Sequence, residues 1–249
     1  MHTSTPPKKS PLKFFLLVFV LILPFWVLGA VTGVVVRGIP IAALSFVCPV
    51  IAAMMLEYQE RKGAGVGALL KRSFDFKRIK MKAWYVPLLL LYPTLGVASF
   101  FIIRLTGTHV PDPYISVLSP FVLCVVFFIS ALGEELGWSG YVIDPMQNRW
   151  GALKASLVLG SIWAVWHWVA LVQVHNSVTW IAWWSLGTVA ARVIMVWLFN
   201  NMGKSVFAMT LFHMTLNVGW QLFPVNGSFF DQRITSLILA AVVLIIVCV

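Results

Sequence analysis

Two adjacent carboxylates, Glu134 and Glu135, lie in a stretch whose preceding residues, 116–132, are apolar enough for a lipid bilayer. An ionisable side chain inside a membrane is costly unless it faces a polar partner or a cavity, so such residues mark functional sites. Neighbouring residues on a helix point about 100° apart, so the two carboxylates cannot face one cavity in the same way. We therefore expect a buried pair with divided roles.

Two other apolar stretches carry His167 and the pair His213 and Asn217. The latter two are four residues apart, so they share one helix face and can donate hydrogen bonds toward one point. A glutamate can act as general base on a water with help from a histidine. Preorganised donors stabilise the oxyanion that forms when water attacks an amide. This set of residues favours amide hydrolysis.

A metal site is the alternative for the same residues. Glu134, His167 and His213 could supply three ligands of a catalytic zinc with one open position. The sequence contains no H-E-x-x-H motif, so spacing does not favour zinc.

Composition places these residues in a membrane protein. The 249 residues are 60% hydrophobic and 10% charged, with a mean hydropathy of +0.92, whereas soluble chains are about 25% charged. The net charge of +10 is better explained by membrane topology than by nucleic-acid binding. We predict an all-α, polytopic membrane helix bundle.

About eight transmembrane helices are predicted, since a span needs about 20 apolar residues. We expect residues 1–13 to be a cytoplasmic tail and residues 14–249 a single transmembrane domain. Pro120 predicts the first turn of the fourth helix, after Ser119 as its cap, and Asp144-Pro145 predicts its end. The predicted spans are 14–36, 39–57, 84–104, 116–141, 153–173, 179–199, 204–222 and 234–249.

Basic residues predict the orientation, because cytoplasmic loops are rich in Lys and Arg. The segment 58–83 should be a solvated cytoplasmic loop; the alternative is an amphipathic helix on the membrane surface over Leu69–Phe76. The same rule places Lys8, Lys9, Lys13, Arg149, Lys154 and Lys204 inside, with both termini cytoplasmic. The basic residues of segment 58–83 are Arg61, Lys62, Lys71, Arg72, Lys77, Arg78, Lys80 and Lys82.

Three motifs resemble those of the CPBP intramembrane protease family, which includes CAAX prenyl-protein endopeptidases and bacteriocin-processing or self-immunity proteins of the Abi type. The family pattern is Glu-Glu-x-x-x-Arg, then Phe-x-x-x-His, then His-x-x-x-Asn. Here Glu134 to Ser139 match the first, Trp163 to His167 the second and His213 to Asn217 the third. The similarity covers about residues 116–222, the expected catalytic core.

The resemblance implies that Glu134 and His167 activate the water and that His213 and Asn217 form the oxyanion hole, in a cavity open to the cytoplasmic side. It implies a glutamate mechanism that requires no cofactor, with zinc as the alternative. Glu135 and Ser139 are expected to support Glu134. Ser139 stands where the family has an arginine that neutralises Glu135, and Arg149 is our candidate replacement. Trp163 stands where the family has Phe.

We therefore predict a multi-pass protein of the cell membrane, an endopeptidase that cleaves a membrane-associated peptide or protein substrate. The expected partners are membrane lipids and this substrate, which is lipidated if it is CAAX-like; no nucleic acid is expected. Two other classes remain: a non-catalytic immunity or scaffold protein, and a proton-coupled transporter that uses the carboxylates as a relay. Inverted repeats would favour the transporter, and the sequence has none that we find.

Overall fold

A computed structural model of the chain describes residues 9–36, 39–113 and 116–248. Ten α-helices make up most of the regular structure in these residues. They are α1 (Pro11–Leu21), α2 (Leu23–Thr32), α3 (Val47–Leu70), α4 (Tyr85–Leu105), α5 (Ser119–Gly137), α6 (Ile143–Trp150), α7 (Ala152–Gln173), α8 (Val178–Asn201), α9 (Val206–Leu222) and α10 (Gln232–Cys248). Two short antiparallel strands, β1 (Val35–Val36) and β2 (Ile39–Pro40), connect α2 to the 3-10 turn that precedes α3.

The predicted all-α membrane bundle is confirmed. Each of the eight predicted segments is largely helical, and six stretches of the described chain are long and apolar enough to cross a membrane. α9 and α10 have 17 residues each, slightly short of the usual span of about 20. The six stretches are Pro11–Thr32, Ile41–Phe74, Lys82–Leu105, Ser119–Trp150, Ala152–Gln173 and Val178–Asn201.

The first predicted span, 14–36, both begins and ends earlier in the structure. α1 begins at Pro11, within the expected tail, and Ser10 caps it by accepting the backbone N–H of Lys13. α2 ends at Thr32 because Gly33 takes a left-handed conformation with φ 59°, which ends many helices. Residues 1–8 of the expected tail, including Lys8, lie outside the described residues.

The interpretation of segment 58–83 as a solvated loop is wrong. α3 continues to Leu70, with one break at Lys62 (φ 54°, ψ −148°), and 3-10 turns follow; the alternative helix over Leu69–Phe76 is not a separate element either. Most of the basic side chains of this segment are exposed, but Arg72 is partly buried. Arg72 donates to the carbonyl oxygens of Gly140 and Lys204, both at 2.7 Å.

The prediction that Asp144-Pro145 ends the fourth helix is also wrong. α5 passes through a π-helical segment, Trp138–Val142, directly into α6. Pro145 is the third residue of α6, directly after the π-helical turn, and it lacks the N–H that a continuous helix would use. Single π turns inside helices occur often at functional sites.

Close helix approaches bring the predicted catalytic segments together. α5 packs against α3 and α9, α7 packs against α8, and α8 packs against α10. Glycines allow these approaches: a Cβ on Gly137 would lie 2.6 Å from the carbonyl oxygen of Pro49, and one on Gly160 would lie 3.0 Å from the Cα of Val189. Small residues of this kind let helix backbones approach closely in membrane bundles.

Basic segments that were predicted to share one side of the membrane meet at one end of the bundle. Lys9 lies 2.6 Å from Glu57 on α3, and Lys204 lies 2.8 Å from Asp144 on α6. Arg72 joins the two regions through its bond to the Lys204 carbonyl. The side of the membrane that this end faces stays a prediction.

Candidate active site

Glu134 and Glu135 are both buried near the end of α5, with 6% and 0% of their surfaces exposed. Their helix continues past them, through the π-helical segment into α6. Gly133 packs against the backbone of Phe46, and Gly137 packs against Pro49, one turn further along. The pair is therefore enclosed by protein, as the sequence predicts.

Glu134 is held by two indoles. Trp163 on α7 donates its Nε1–H to Oε2 of Glu134 at 2.8 Å, and Trp138 donates to the same oxygen at 3.3 Å. Within the described chain, no side chain donates a hydrogen bond to the other oxygen, Oε1. One oxygen of this carboxylate is therefore fixed, and the second is free of protein donors.

Glu135 has an entirely different set of partners, so the two carboxylates do have divided environments. Arg192 on α8 binds it in a two-pronged pair, with Nη1 3.0 Å from Oε2 and Nη2 3.1 Å from Oε1. His213 Nδ1 lies 3.1 Å from Oε1. Ser139, one turn along from Glu135, donates its hydroxyl to Oε2.

Arg149 is not the cation that compensates Glu135. Its guanidinium lies over the ring of its neighbour Trp150, 5.5 Å from the centroid. Arg192 takes that place, and our sequence reasoning missed it. The signal was present, because Arg192 is the one charged side chain in the otherwise apolar segment 178–201, and a charge at that depth usually marks function.

Trp163 is the side chain that the other site residues share. The imidazoles of His167 and His213 contact its ring at centroid distances of 5.6 and 5.1 Å. The guanidinium carbon of Arg192 lies 4.1 Å from the centroid of the ring, a cation–π distance. The structure thus gathers Glu134, His167 and His213 from three helices around one indole.

Both imidazoles have a defined orientation. His167 Nδ1 lies 2.9 Å from the backbone oxygen of Trp163, and His213 Nδ1 faces a carboxylate oxygen. A carbonyl and a carboxylate only accept hydrogen bonds, so each Nδ1 carries a hydrogen. This assigns Nε2 as the nitrogen that each ring offers to a reactant.

Asn217 lies one turn after His213 on α9 and is half-buried. The sequence predicts that Asn217 and His213 lie on one helix, and the structure agrees. In the described part of the chain, however, no hydrogen bond connects Asn217 to Glu134, Glu135, His167 or His213. Its carboxamide is available for another partner.

The alternative zinc site stays a prediction. Among the residues that the structure describes, no three His, Cys, Asp or Glu side chains are placed to hold one metal ion. Two indoles bind Glu134 Oε2 but leave Oε1 without a side-chain donor in the described chain, and Glu135 is already paired with Arg192 and His213. Indoles and guanidinium groups are not metal ligands.

A polar cavity of about 240 Å³ opens beside Gly140, in the π-helical segment that follows the carboxylates. Glu134, His167 and His213 are not part of its lining. The route by which a substrate reaches Glu134 therefore stays a prediction. The lining residues are Lys9, Glu57, Arg61, Ala68, Leu69, Arg72, Arg78, Gly140 and Asp144.

Comparison with known proteins links this site to a group of proteases. The model of the Rce1-like type II CAAX prenyl endopeptidases matches residues 116–219, which include all four predicted catalytic residues. The chain is also 25% identical to a protein named CAAX prenyl protease 2 from Methanococcus maripaludis, over 95% of this chain and 94% of that protein. The likeness to this relative therefore extends beyond the site to nearly the whole chain.

Proposed function

We propose that this chain is a peptidase of the CPBP type, which its likeness to CAAX prenyl endopeptidases supports, and that it hydrolyses a peptide bond by means of a water that Glu134 activates. The observation that supports this proposal is that side-chain donors bind one oxygen of the Glu134 carboxylate and, within the described chain, none binds the other. Two indoles hold Oε2, so Oε1 is left to accept a proton. A general base needs such a positioned and unblocked acceptor.

In the proposed reaction, a water molecule lies between Glu134 Oε1 and the carbonyl carbon of the scissile bond. Glu134 removes one proton while the water oxygen bonds to the carbon and the carbonyl becomes an oxyanion. The C–N bond then breaks, and Glu134 returns the proton to the leaving nitrogen. The products are a new amine and a new carboxylic acid, which gives its remaining proton to the amine or to solvent, and Glu134 is again ionised.

His167 assists this step as the second group at the water. Its Nδ1–H is bound to the Trp163 carbonyl, so Nε2 is the acceptor that can orient the water beside Glu134. Both side chains contact Trp163, which supports their action on one molecule.

His213 and Asn217 stabilise the oxyanion. Because His213 Nδ1–H points to Glu135, its Nε2 donates to the oxyanion only when the ring is protonated. The carboxylate of Glu135 stabilises that imidazolium, so Glu135 supports the reaction without touching the substrate. The carboxamide of Asn217, one turn away on α9, supplies the second donor. Removing one such donor typically lowers turnover about 10²–10³-fold.

The name of the relative from M. maripaludis indicates the substrate class. We propose a membrane-associated peptide or protein with a prenylated cysteine near its C-terminus, the modification that a CAAX sequence receives. A substrate of this kind sits in the bilayer through its lipid chain, where it meets a site built inside a membrane bundle.

The test is cleavage of a farnesylated CAAX peptide that carries a fluorophore and a quencher, by the purified full chain in detergent or lipid vesicles. We expect wild type to cleave it and Glu134→Gln to lose about 10²–10⁴-fold of the rate. Asp112→Asn removes an exposed carboxylate that pairs with Arg104 outside the site and should leave the rate unchanged. Wild-type rates from Glu134→Gln, at an equal amount of folded protein, would contradict the role of Glu134 as base, whereas no cleavage by folded wild type would favour a non-catalytic binding protein on the same fold.

A further inference from the structure

We infer that Arg192 is the positioning residue of this site: it holds Glu135 so that Glu135 orients His213 toward the substrate. This inference rests on the proposed peptidase function. It goes beyond that proposal because Arg192 lies outside the three motifs that suggest the reaction. The structure gives it three contacts that together specify one orientation.

The first contact is the pair with Glu135. Both terminal nitrogens of Arg192 reach both oxygens of Glu135, at 3.0 and 3.1 Å, and neither side chain is exposed to solvent. A fork of this geometry fixes the plane of a carboxylate as well as its position, which the point charge of a lysine cannot do.

The second contact is with the ring of Trp163, which lies 4.1 Å from the guanidinium carbon. The same indole donates to Glu134 through Nε1. Arg192 therefore packs against the residue that holds the catalytic base while it binds the neighbouring carboxylate. Its position links the two glutamates, which point in different directions from α5.

The third contact is with Gly160, one turn before Trp163 on α7. A Cβ at this position would lie 3.1 Å from the Cβ of Arg192, so the glycine lets α8 approach α7 closely enough for the fork to reach α5. Packing at the base of the side chain leaves Arg192 little freedom to point elsewhere.

His213 receives the effect of this arrangement. Oε1 of Glu135 is shared between Arg192 Nη2 and His213 Nδ1, both at 3.1 Å. A carboxylate fixed by Arg192 presents a fixed acceptor to Nδ1–H, which in turn fixes the ring and directs Nε2 away from Glu135. Without Arg192, the Ser139 hydroxyl would be the one other described side chain besides His213 that holds the carboxylate, and the orientation of His213 would be less well defined.

The small side chain of Ser139 accounts for the position of the cationic partner of Glu135 on α8. Its hydroxyl binds Glu135 Oε2 from one turn along the same helix, the position at which the resembling family carries arginine. A small side chain at 139 leaves room beside Glu135 for the guanidinium of Arg192. In this chain the positive partner of Glu135 therefore lies on a neighbouring helix, 57 residues further along the chain.

The experiment measures kcat and KM on the farnesylated peptide for Arg192→Ala, Arg192→Lys, and Arg192→Ala combined with Ser139→Arg. We expect Arg192→Lys to keep KM within about twofold and to lose at least tenfold in kcat, since it retains the charge without the fork. The double variant should recover at least tenfold of the kcat lost in Arg192→Ala, because position 139 reaches Glu135. The matched control is Arg104→Lys, which alters an arginine paired with Asp112 and stacked on Phe100.

A structural effect is separated from positioning by the thermal midpoint of each variant and by the ¹⁵N chemical shifts of the His213 ring. The inference predicts that Arg192→Lys stays folded while His213 Nδ1 loses the shift of a hydrogen-bonded N–H. Unchanged kcat and unchanged ring shifts in Arg192→Lys would overturn it. So would a kcat loss that only follows the folded fraction. The ring shifts are readable even if wild type cleaves no peptide, so failure of the proposed function is distinguishable from failure of this inference.

Discussion

Trp163 donates its indole N–H to Oε2 of Glu134 at 2.8 Å. The pairing joins α7 to α5 at the residue on which the proposed chemistry depends. It also gives a physical meaning to the occurrence of Trp instead of Phe at this position, because only the indole supplies a donor.

Replacement of Trp163 by Phe tests the value of that donor. The ring that packs beneath Arg192 is largely kept, while the hydrogen bond to Glu134 is lost. Hydrogen bonds to charged groups contribute about 1.5–3 kcal/mol, so we expect kcat to fall roughly tenfold to 100-fold. Trp168→Phe removes a comparable indole hydrogen bond, to Ser185 on the exposed side of the bundle, and should change the rate less than twofold.

Two substitutions of His213 separate its two nitrogens. Asn places its amide nitrogen near the position of Nδ1 and keeps the bond to Glu135, whereas Gln places its amide nitrogen near Nε2 and keeps a donor for the oxyanion. If His213 acts through Nε2, Gln should retain at least about tenfold more kcat than Asn. A higher kcat for the Asn variant would contradict the oxyanion role.

Removal of metal ions should leave the activity unchanged. The described side chains offer no three-ligand site, and the proposed reaction needs only Glu134, histidine and water. We expect kcat to stay within twofold after dialysis against EDTA and 1,10-phenanthroline. A loss of activity that zinc restores would instead support the alternative zinc site of Glu134, His167 and His213.

Helix packing around the carboxylates is tested by a pair of glycines. A Cβ on Gly137 would lie 2.6 Å from both the Cβ and the carbonyl oxygen of Pro49, while one on Gly96 in α4 would meet nothing within 4 Å. Gly137→Ala must push α3 from α5, and we expect it to lower the thermal midpoint. Gly96→Ala should be neutral or raise stability by up to about 1 kcal/mol, because alanine favours helix. Equal midpoints for the two variants would contradict the close approach at Gly137.

The membrane class, the helical segments and most of the site were predictable from the sequence. Long apolar runs of sufficient length specify membrane helices by themselves, since a bilayer requires internally bonded backbone. Glu134, Glu135, His167 and His213 were recognisable because polar groups inside such runs are costly. The two wrong predictions, a helix end at Asp144-Pro145 and a loop over segment 58–83, share one physical cause. Local turn and charge signals were outweighed by tertiary contacts, such as those of Arg72 with the Gly140 and Lys204 carbonyls.

The partner of Glu135 depended on the tertiary structure. The family resemblance pointed to position 139, where this chain has serine, and Arg149 was our candidate replacement, whereas the cation came from Arg192 on another helix. Which helix faces place their side chains together depends on packing, here the close approach of α7 and α8 at Gly160. The sequence alone determined that a carboxylate at 135 needed polar partners, because an ionisable group without them is too costly inside a membrane bundle. Only the fold decided that this partner is Arg192, and that Trp163 lies between it and the two histidines.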